Sequence, residues 1–365
     1  MRKTRIDRAF LFWVIVLTVI GFLIFNSASL GLLAGSGGKY SDVAFSQTFF
    51  GLFLGTVALI ILSRIHFRVW RKYALILFVI GIVVMLLVFT GLGFEHAGAK
   101  RWIILGDFSF QPSELLKVTF IIYLAAWISG IKDKIGTFKF GLLPLLVLFT
   151  ICGLLVLSQP DTDTFAVIII SGLAMFLTGG GKWKHVLSIF LIAIIGLLIM
   201  ASFRPYIKQR LMTFLEPAKN GQSSSYQIQQ SYIAIGSGGI SGRGFGQSIQ
   251  KFNFLPEPIG DSIFAVAAEE FGFLGSVALI FAFVAFAFQG MRIAARTDDT
   301  FGRLLTVGIV VMIISQAFVN IGAMLGVLPL AGVPLPFVSH GGTALLFTLA
   351  EAGIVLSVSR HQKLS

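Results

Sequence analysis

Long apolar runs recur along the whole chain, and they constrain the fold more than any other feature of the sequence. A run of about eighteen largely uncharged apolar residues is long enough to cross a bilayer as a helix. Charged residues make up only 12% of the 365 residues, roughly half of what a soluble protein uses to cover its surface. The sequence therefore predicts an all-α, polytopic integral membrane protein.

The apolar runs predict about ten transmembrane helices. These predicted spans cover residues 9–32, 46–63, 73–92, 115–130, 141–158, 164–178, 186–203, 261–288, 304–328 and 343–359. Most of the 28 Lys and Arg residues fall in the loops on the side of the two chain ends. The positive-inside rule then makes both termini cytoplasmic. Because these basic residues are spread over several short loops, we expect membrane lipids and no nucleic acid as partners.

We expect a single transmembrane domain over residues 1–365, with its long irregular segments on the outer side. These segments are 93–114, 204–260 and 329–342, and the largest of them, 204–260, connects the seventh and eighth spans. A loop of this length is usually functional or disordered. Its residues 225–239 (SYQIQQSYIAIGSGG) favour an amphipathic stretch on the membrane surface. The loop lengths therefore predict function on the exported side.

Ionisable residues at membrane depth are the first candidates for a site, because such a charge normally faces a cavity or a partner. Glu114 and Lys117 share one helix face and form either a structural ion pair or part of a site. Asp161 and Asp163 begin the sixth span, where a helix cap is as reasonable as a chemical role. The other candidates are Asp261, Glu269, Glu270 and Glu351.

Asp261 stands at the mouth of the eighth span, directly after Pro258 and Gly260. The positive end of the helix dipole favours an ionised carboxylate, so we expect Asp261 to be an anion at the outer aqueous boundary. Glu269 lies about 12 Å deeper on the same helix, which is too far for a carboxylate dyad. A single carboxylate at a helix mouth serves as a general base, a metal ligand or a cap.

Residues 328–342 (LPLAGVPLPFVSHGG) break the helical pattern between the last two spans. Ser339 and His340 stand there beside Gly341 and Gly342. Broken backbone at membrane depth is tolerated where it lines a cavity or packs on protein. His340 is therefore either a base or, more commonly for such a residue, a hydrogen-bonded packing group.

Two further features bear on function. Arg101 and Trp102 provide a cation and an interfacial aromatic ring. The glycine-rich residues 236–247 (GSGGISGRGFGQ) could cradle a phosphate on backbone amides, although they match no complete phosphate-binding fingerprint. The residues alone fit a transporter and a lipid-processing enzyme equally well.

Three separated stretches resemble the SEDS family, the shape, elongation, division and sporulation proteins that include FtsW, RodA and SpoVE. The stretches are 110–117 (FQPSELLK), 224–275 and 320–342, while 250–258 and 353–360 lean towards FtsW. The resemblance implies a ten-span peptidoglycan glycosyltransferase that polymerises lipid II on the outer face of the cytoplasmic membrane. It also implies release of undecaprenyl diphosphate and a class B penicillin-binding protein as the transpeptidase partner.

The resemblance assigns roles to residues of this chain. Asp261 would be the general base that takes the proton from the acceptor's 4-hydroxyl, which predicts inversion at the donor's anomeric carbon. The cations expected to hold the diphosphate are Arg101, Lys117, Arg243 and Lys251, and a divalent metal such as Mg²⁺ could assist them. The residues expected to support the cavity are Trp102, Glu114, Asp161, Glu257, Ser339, His340, Gly341 and Gly342.

Some positions depart from the pattern of the family. Gly260 and Ser262 replace a common Thr and Phe beside Asp261, Asp163 replaces a Gly, and His340 replaces a Tyr. Because Asp261 itself remains, we expect an active enzyme. The alternatives are a lipid II flippase and a non-catalytic scaffold of the division or elongation machinery.

Overall fold

The structure, a computed structural model, describes residues 6–34, 38–96, 99–105, 108–131, 134–203, 205–215 and 223–362. Several predictions fall on residues outside these ranges. They include the basic residues in 1–5, at 132 and in 363–365, which entered the topology argument, and residues 204 and 216–222 of the large loop.

Helices make up most of the described chain, and we number the α-helices in chain order. They are α1 (Arg8–Ser29), α2 (Gly38–Phe45), α3 (Leu54–Arg64), α4 (Arg68–Leu87), α5 (Pro112–Gly130), α6 (Leu143–Leu157), α7 (Thr162–Thr178), α8 (Trp183–Phe203), α9 (Pro205–Leu215), α10 (Ser223–Gly238), α11 (Ile263–Ala295), α12 (Thr300–Met324) and α13 (Gly342–Ser359). A 3₁₀ turn (Leu30–Ala34) follows α1, and π-helical turns precede α3 (Ser46–Phe53) and α6 (Phe138–Leu142).

Seven helical stretches among the described residues are long and apolar enough to cross a membrane. They are Arg8–Leu33, Tyr40–Arg64, Arg68–Leu87, Pro112–Gly130, Phe138–Leu157, Ile263–Ala295 and Thr300–Met324. Shorter apolar helices cover Thr162–Thr178, Trp183–Gly196 and Thr343–Ser359. Each predicted span overlaps one of these stretches. The prediction of a helical, multi-pass membrane protein is confirmed, and the count of ten spans stays a prediction.

The helices α5 and α12 form the centre of the bundle. In each of them 72% of the most apolar eighteen-residue stretch is buried, against 22% in α4, which faces outward. Local signals fix several helix starts: Asp161 caps α7 and Asp299 caps α12, while Pro112 occupies the first turn of α5. Such caps and an initial proline satisfy or remove the unpaired amides of a first turn.

Residues 93–110, predicted to be irregular in an all-α fold, contain a small sheet. Strands β1 (Gly93–His96), β2 (Ala99–Leu105) and β3 (Phe108–Phe110) pair antiparallel in the order β1-β2-β3. Ile103 is opposite Gly93 on one side and Phe110 on the other. The strands are too short to show a clear alternation in sequence, so the prediction missed them. β3 runs directly into α5 and places β2 beside the start of that helix.

The large loop 204–260 is mostly folded, because it contributes α9 and α10. Helix α10 packs against α11 and buries Ile228, Ser231 and Ala234, while Tyr232 and Ile233 on its other face are exposed. Residues 225–239 therefore form a helix with two different faces, as predicted, and one of these faces packs against α11.

The glycine-rich segment lies against α11 where that helix is interrupted. Gly272 has a φ of +66° and a non-helical backbone inside α11. A Cβ at Gly272 would lie 2.3 Å from the Gly242 amide nitrogen, so only glycine fits there. The amides of Arg243 and Gly244 donate to the Glu269 and Glu270 carbonyls at 3.0 and 2.9 Å. These amides therefore stabilise the interrupted helix and are not directed at a phosphate.

Candidate functional site

Four parts of the chain meet around Asp261, and Gly332 marks the meeting point. A Cβ added at Gly332 would lie 3.5 Å from Arg101 Nη1, 3.6 Å from Arg210 Nη2 and 3.7 Å from Asp261 Oδ2. Strand β2 supplies Arg101, helix α9 supplies Arg210, and the turn before α11 supplies Asp261. We use the name Asp261 cluster for five residues: Asp261, Arg101, Arg210, Asp163 and Glu257.

The backbone around Asp261 is fixed by hydrogen bonds from distant residues. Asn320 Nδ2 on α12 donates to the Asp261 carbonyl at 2.8 Å and to the Val333 carbonyl at 2.9 Å. Ser339 Oγ donates to the Gly260 carbonyl at 2.8 Å. The predicted supporting residue Ser339 therefore ties the segment before α13 to the turn that carries Asp261.

The carboxyl group of Asp261 is not the simple anion that its place in the sequence predicts. Asp261 lies in a turn and α11 begins at Ile263. Although its side chain keeps some accessible surface, close burial raises its pKa to about 7, and the charges of Glu257 and Asp163 act in the same direction. Arg101 opposes this rise. The prediction that Asp261 is a simple anion is therefore corrected, because burial and the nearby carboxylates outweigh the effect of the helix dipole.

Asp163 and Arg210 lie in the site, although the sequence analysis did not predict them as site residues. Arg210 Nη1 and Asp163 Oδ2 form an ion pair at 2.9 Å, and the Gly332 amide donates to the same Oδ2 at 2.8 Å. Asp161, not Asp163, is the helix cap, since its Oδ1 accepts from the Thr164 amide at 3.2 Å. Arg210 was missed because the sequence predicted a loop where α9 forms.

Asp161 adds a further carboxyl group near Arg101. Burial raises the pKa of Asp161 even though Arg101 opposes it, and Asp161 Oδ2 has no hydrogen-bond partner in the described part of the chain. Arg101 itself donates to the carbonyls of Gln159 and Pro160.

Within the described residues no three His, Cys, Asp or Glu side chains lie close enough to hold a metal ion.

Lys117 and Glu114 form a buried pair on α5. Lys117 Nζ lies 2.8 Å from Glu114 Oε1 and donates to Gln316 Oε1 at 2.6 Å, and both charged side chains are almost fully buried. Gln316 Nε2 in turn donates to the Pro334 carbonyl at 2.9 Å. The ion-pair interpretation is confirmed. The predicted contact of Lys117 with a diphosphate is corrected, because its ammonium is enclosed and engaged with protein acceptors.

Lys251 and Arg243 belong to a separate group of side chains, which we call the Glu270 cluster. It consists of Glu270, Lys251, Ser27, Glu269 and Arg243. Lys251 Nζ lies 2.8 Å from Glu270 Oε1 and its side chain is 0% exposed. Ser27 Oγ donates to Glu270 at 2.6 Å. Arg243 pairs with Glu269 at 3.4 Å. The predicted diphosphate contact of Lys251 is corrected, because its ammonium is enclosed and held by Glu270. The predicted contact of Arg243, whose side chain is 37% exposed, stays a prediction.

Comparison with known proteins agrees with this architecture. A family model described as "Cell cycle protein", covering FtsW, RodA and SpoVE, matches residues 7–364. The chain belongs to this family. Stage V sporulation protein E of Bacillus subtilis (strain 168) is 34% identical over 99% of both chains. Probable peptidoglycan glycosyltransferase FtsW of Geobacter sp. (strain M18) is 33% identical over 98% of this chain and 97% of its own length.

Two solved structures of the family share the fold. One is described as "Structural coordination of polymerization and crosslinking by a peptidoglycan synthase complex" and matches with a TM-score of 0.81 and 26% identity over 99% of both chains. The other is the rod shape determining protein RodA of Thermus thermophilus, with a TM-score of 0.71 and 25% identity over 99% of this chain and 98% of that one. Family membership and the apolar helices make this chain a multi-pass protein of the cytoplasmic membrane.

The other predicted supporting residues occupy different surroundings. His340 stacks on Phe25 with ring centroids 5.8 Å apart, and burial lowers its pKa to about 4. Its Nε2 has no hydrogen-bond partner among the residues that the structure describes. The lowered pKa indicates a packed, neutral imidazole, and the expected hydrogen bond of the ring stays a prediction. The Gly341 amide donates to Gln47 Oε1 at 3.1 Å, and Gly342 begins α13.

Trp102 and Glu257 complete the predicted set. Trp102 is opposite Phe94 in the sheet, next to a bulge that leaves Arg101 without a paired residue on β1, and its place in the cavity stays a prediction. Glu257 belongs to the site, because its carbonyl accepts from the Gly260 and Ser262 amides at 3.1 Å each and its charge raises the pKa of Asp261.

Proposed function

We propose that this chain is a peptidoglycan glycosyltransferase that polymerises lipid II, with Asp261 as the general base. The observation that carries the proposal is a carboxyl group with a pKa of about 7 beside two guanidinium groups in a helical membrane protein. Family membership supports it, since relatives from Geobacter bear the name probable peptidoglycan glycosyltransferase.

The reaction needs one proton acceptor and one stabilised leaving group. The acceptor's 4-hydroxyl oxygen forms a bond to the donor's anomeric carbon, its proton passes to the Asp261 carboxylate, and the bond from that carbon to the diphosphate breaks. A base is most effective when its pKa lies near the working pH, which is where burial sets the pKa of Asp261. One base and no covalent intermediate give inversion, from the α-linked precursor to a β-linked glycan.

Arg101 and Arg210 are the cations we assign to the diphosphate. Their guanidinium nitrogens lie 3.5 and 3.6 Å from the position of a Cβ at Gly332, beside the Asp261 carboxylate. A guanidinium carries five N–H donors and binds phosphate oxygens in pairs. Donors that Gln159, Pro160 and Asp163 leave free can therefore neutralise the charge that develops on the diphosphate. Because the described residues offer no metal-ligand group, we derive no step through Mg²⁺ and treat it as a variable of the assay.

The membrane setting suits a substrate with a polyprenyl tail. The lipid-facing helices leave large apolar side chains exposed, among them Ile76 on α4 and Phe281 on α11, and a polyprenyl chain can lie against such a surface. We propose that the site faces outward, as the distribution of basic loops predicts. We also propose a class B penicillin-binding protein as partner, because a solved relative belongs to a complex that couples polymerisation to crosslinking.

The experiment is glycan polymerisation from purified lipid II in liposomes. The wild type is compared with Asp261→Asn, each with and without a candidate transpeptidase partner and Mg²⁺. We expect Asp261→Asn to lower the rate by about 10²–10⁴-fold, the usual contribution of a general base. Asp42→Asn is the matched control, because Asp42 is an exposed carboxylate on α2, and it should leave the rate unchanged.

Two outcomes would count against the proposal. Equal polymer from the wild type and from folded Asp261→Asn would remove Asp261 from the reaction. If the wild type makes no polymer with both the partner and Mg²⁺ present, the polymerase assignment itself is wrong.

A further inference from the structure

A groove of about 510 Å³ lies between α1, α3 and α13, away from the Asp261 cluster. The two sites are at opposite ends of α13: Gly342 begins the helix near Ser339, and Arg360, about 27 Å further along at 1.5 Å per residue, lines the groove. The walls are formed by Val14, Thr18, Leu59, Ser63, Leu349 and Leu356 with their neighbours.

The walls of the groove are apolar, and the groove opens sideways to the bilayer. Two of the three hydroxyls that line the groove are satisfied by their own helices, since Thr18 Oγ1 donates to the Val14 carbonyl at 2.7 Å and Ser63 Oγ to the Ile60 carbonyl at 2.9 Å. Ile15 and Ile60 at the rim are 52% and 44% exposed. A hydrocarbon chain in the groove would therefore meet methyl and methylene groups and could reach it from the surrounding lipid.

One end of the groove is positively charged. Arg64, the last residue of α3, and Arg360, directly after α13, both line it, and no Asp or Glu is among the described residues that line it. The neighbouring Asp7 is used as the cap of α1, where it accepts from the Phe10 amide at 2.9 Å. Arg360 Nε is buried and has no hydrogen-bond partner within the described residues. A buried donor without an acceptor is costly, and an anionic oxygen would satisfy it.

The dimensions of the groove match one leaflet. From Leu349 to Arg360 it follows α13 for about 16 Å, and from Thr56 to Arg64 it follows α3 for about 12 Å. These lengths are about half of the roughly 30 Å hydrocarbon core. An acyl chain that starts at the headgroup level would therefore fill the groove and end near the middle of the bilayer.

We propose that this groove binds one anionic phospholipid from the leaflet on the side of the chain termini. One acyl chain lies between α1, α3 and α13, and the phosphate contacts Arg64 and Arg360. Arginine binds phosphate oxygens through paired N–H donors, and its stem reaches along apolar surface to the headgroup level. The bound lipid would brace α3 against α13, two helices so close that a Cβ at Gly353 would lie 2.7 Å from the Leu59 carbonyl oxygen.

The test is lipid retention by the full-length protein in detergent, measured by native mass spectrometry. Equimolar phosphatidylglycerol and phosphatidylcholine are offered to the wild type, to the double variant Arg64→Gln with Arg360→Gln, and to a control with Arg71→Gln and Lys72→Gln. The control removes two exposed charges from α4 at the same end of the bundle, outside the groove. We expect one phosphatidylglycerol per wild-type chain, retention about tenfold weaker in the first double variant, and no change in the control.

A second variant keeps both arginines and blocks the apolar part of the groove. Ile60→Trp adds bulk at the lipid-exposed rim and should also reduce retention of phosphatidylglycerol. Equal retention of the two lipids, equal loss in both double variants, or full retention by Ile60→Trp would each overturn the proposal. Because the readout is bound lipid and not glycan, its failure is separate from failure of the polymerase assignment.

Discussion

The Asp261 cluster and the Glu270 cluster are centred on carboxylates that lie close together in the sequence, yet their charges are arranged in opposite ways. Asp261 lies partly exposed in the turn before α11, and Glu270 is buried within that helix. In the Glu270 cluster, Glu269 and Glu270 each pair with a cation and accept several hydrogen bonds. In the Asp261 cluster carboxylates are more numerous than guanidinium groups, and their charges add to burial in raising the pKa of Asp261.

The difference shows what separates a structural charge from a chemical one in this protein. Lys251 Nζ donates to Ser27 Oγ and to the Gly246 carbonyl besides pairing with Glu270, so its donors are used up. Among the described residues Asp261 has no such set of partners, and burial and the charges of Glu257 and Asp163 oppose its ionisation. A charge that is balanced and saturated holds the backbone, whereas an unbalanced carboxyl group can exchange a proton near neutral pH.

The largest effect on stability is expected from breaking the balanced cluster. Lys251→Met leaves Glu270 buried without its cation, which should lower the free energy of unfolding by about 3–5 kcal/mol. Chemical or thermal unfolding of the purified protein in detergent measures it. The double variant Lys251→Met with Glu270→Met is the control and should recover part of the loss, because no buried charge is then left unpaired. A single variant that unfolds like the wild type would mean that this ion pair does not hold α11.

The unbalanced cluster should respond in the opposite sense. The pKa of Asp261 is about 7 in the folded protein against an ordinary value of 3.8, so the folded state is favoured below pH 3.8 and loses stability as the pH rises to about 7. Asp261→Asn should therefore melt at a higher temperature than the wild type at pH 8, and the gap should close as the pH falls. A lower melting temperature at pH 8 would contradict the raised pKa.

The contrast between the two clusters explains how far the sequence could predict this protein. Apolar runs are local, so the spans and the multi-pass class followed directly from them. The pairing of Glu114 with Lys117 was also predictable, because residues three apart share a helix face. The pairing of Ser27 with Glu270 joins residues 243 positions apart, and no local pattern reveals it. For the same reason Lys251 was expected at the substrate when the fold uses it to hold α11.

The site itself was predicted only in part. The motif around Asp261 identified the carboxylate, but its pKa depends on burial and on the charges of Glu257 and Asp163, which only the folded chain provides. Arg210 comes from α9, which the sequence presented as part of a long loop. The strand that positions Arg101 was missed as well, because β2 is specified by pairing with β1 and β3 more than by its own residues.

The pH dependence of polymerisation offers a sharper test of the imbalance. The wild-type rate should fall as the pH drops through about 7, because the base must be ionised to act. Glu257→Gln removes a charge that raises the pKa of Asp261, so its midpoint should move to lower pH. Arg101→Gln removes the charge that lowers this pKa, so its midpoint should move to higher pH. Midpoints that shift in the same direction in both variants would show that these charges do not set the pKa of the base.

The smallest effect should come from filling the space at the centre of the Asp261 cluster. Gly332→Ala places a methyl group 3.5–3.7 Å from Arg101, Arg210 and Asp261, an ordinary contact distance, so stability should change by no more than about 0.5 kcal/mol. The rate should nevertheless fall by roughly three- to tenfold, because the methyl group occupies the position where base and leaving group must both meet the substrate. Gly130→Ala, where nothing lies within 4 Å of the added Cβ, is the matched control in the same polymerisation assay. If Gly332→Ala and Gly130→Ala both polymerise like the wild type, the substrate does not use the space between the two arginines and Asp261.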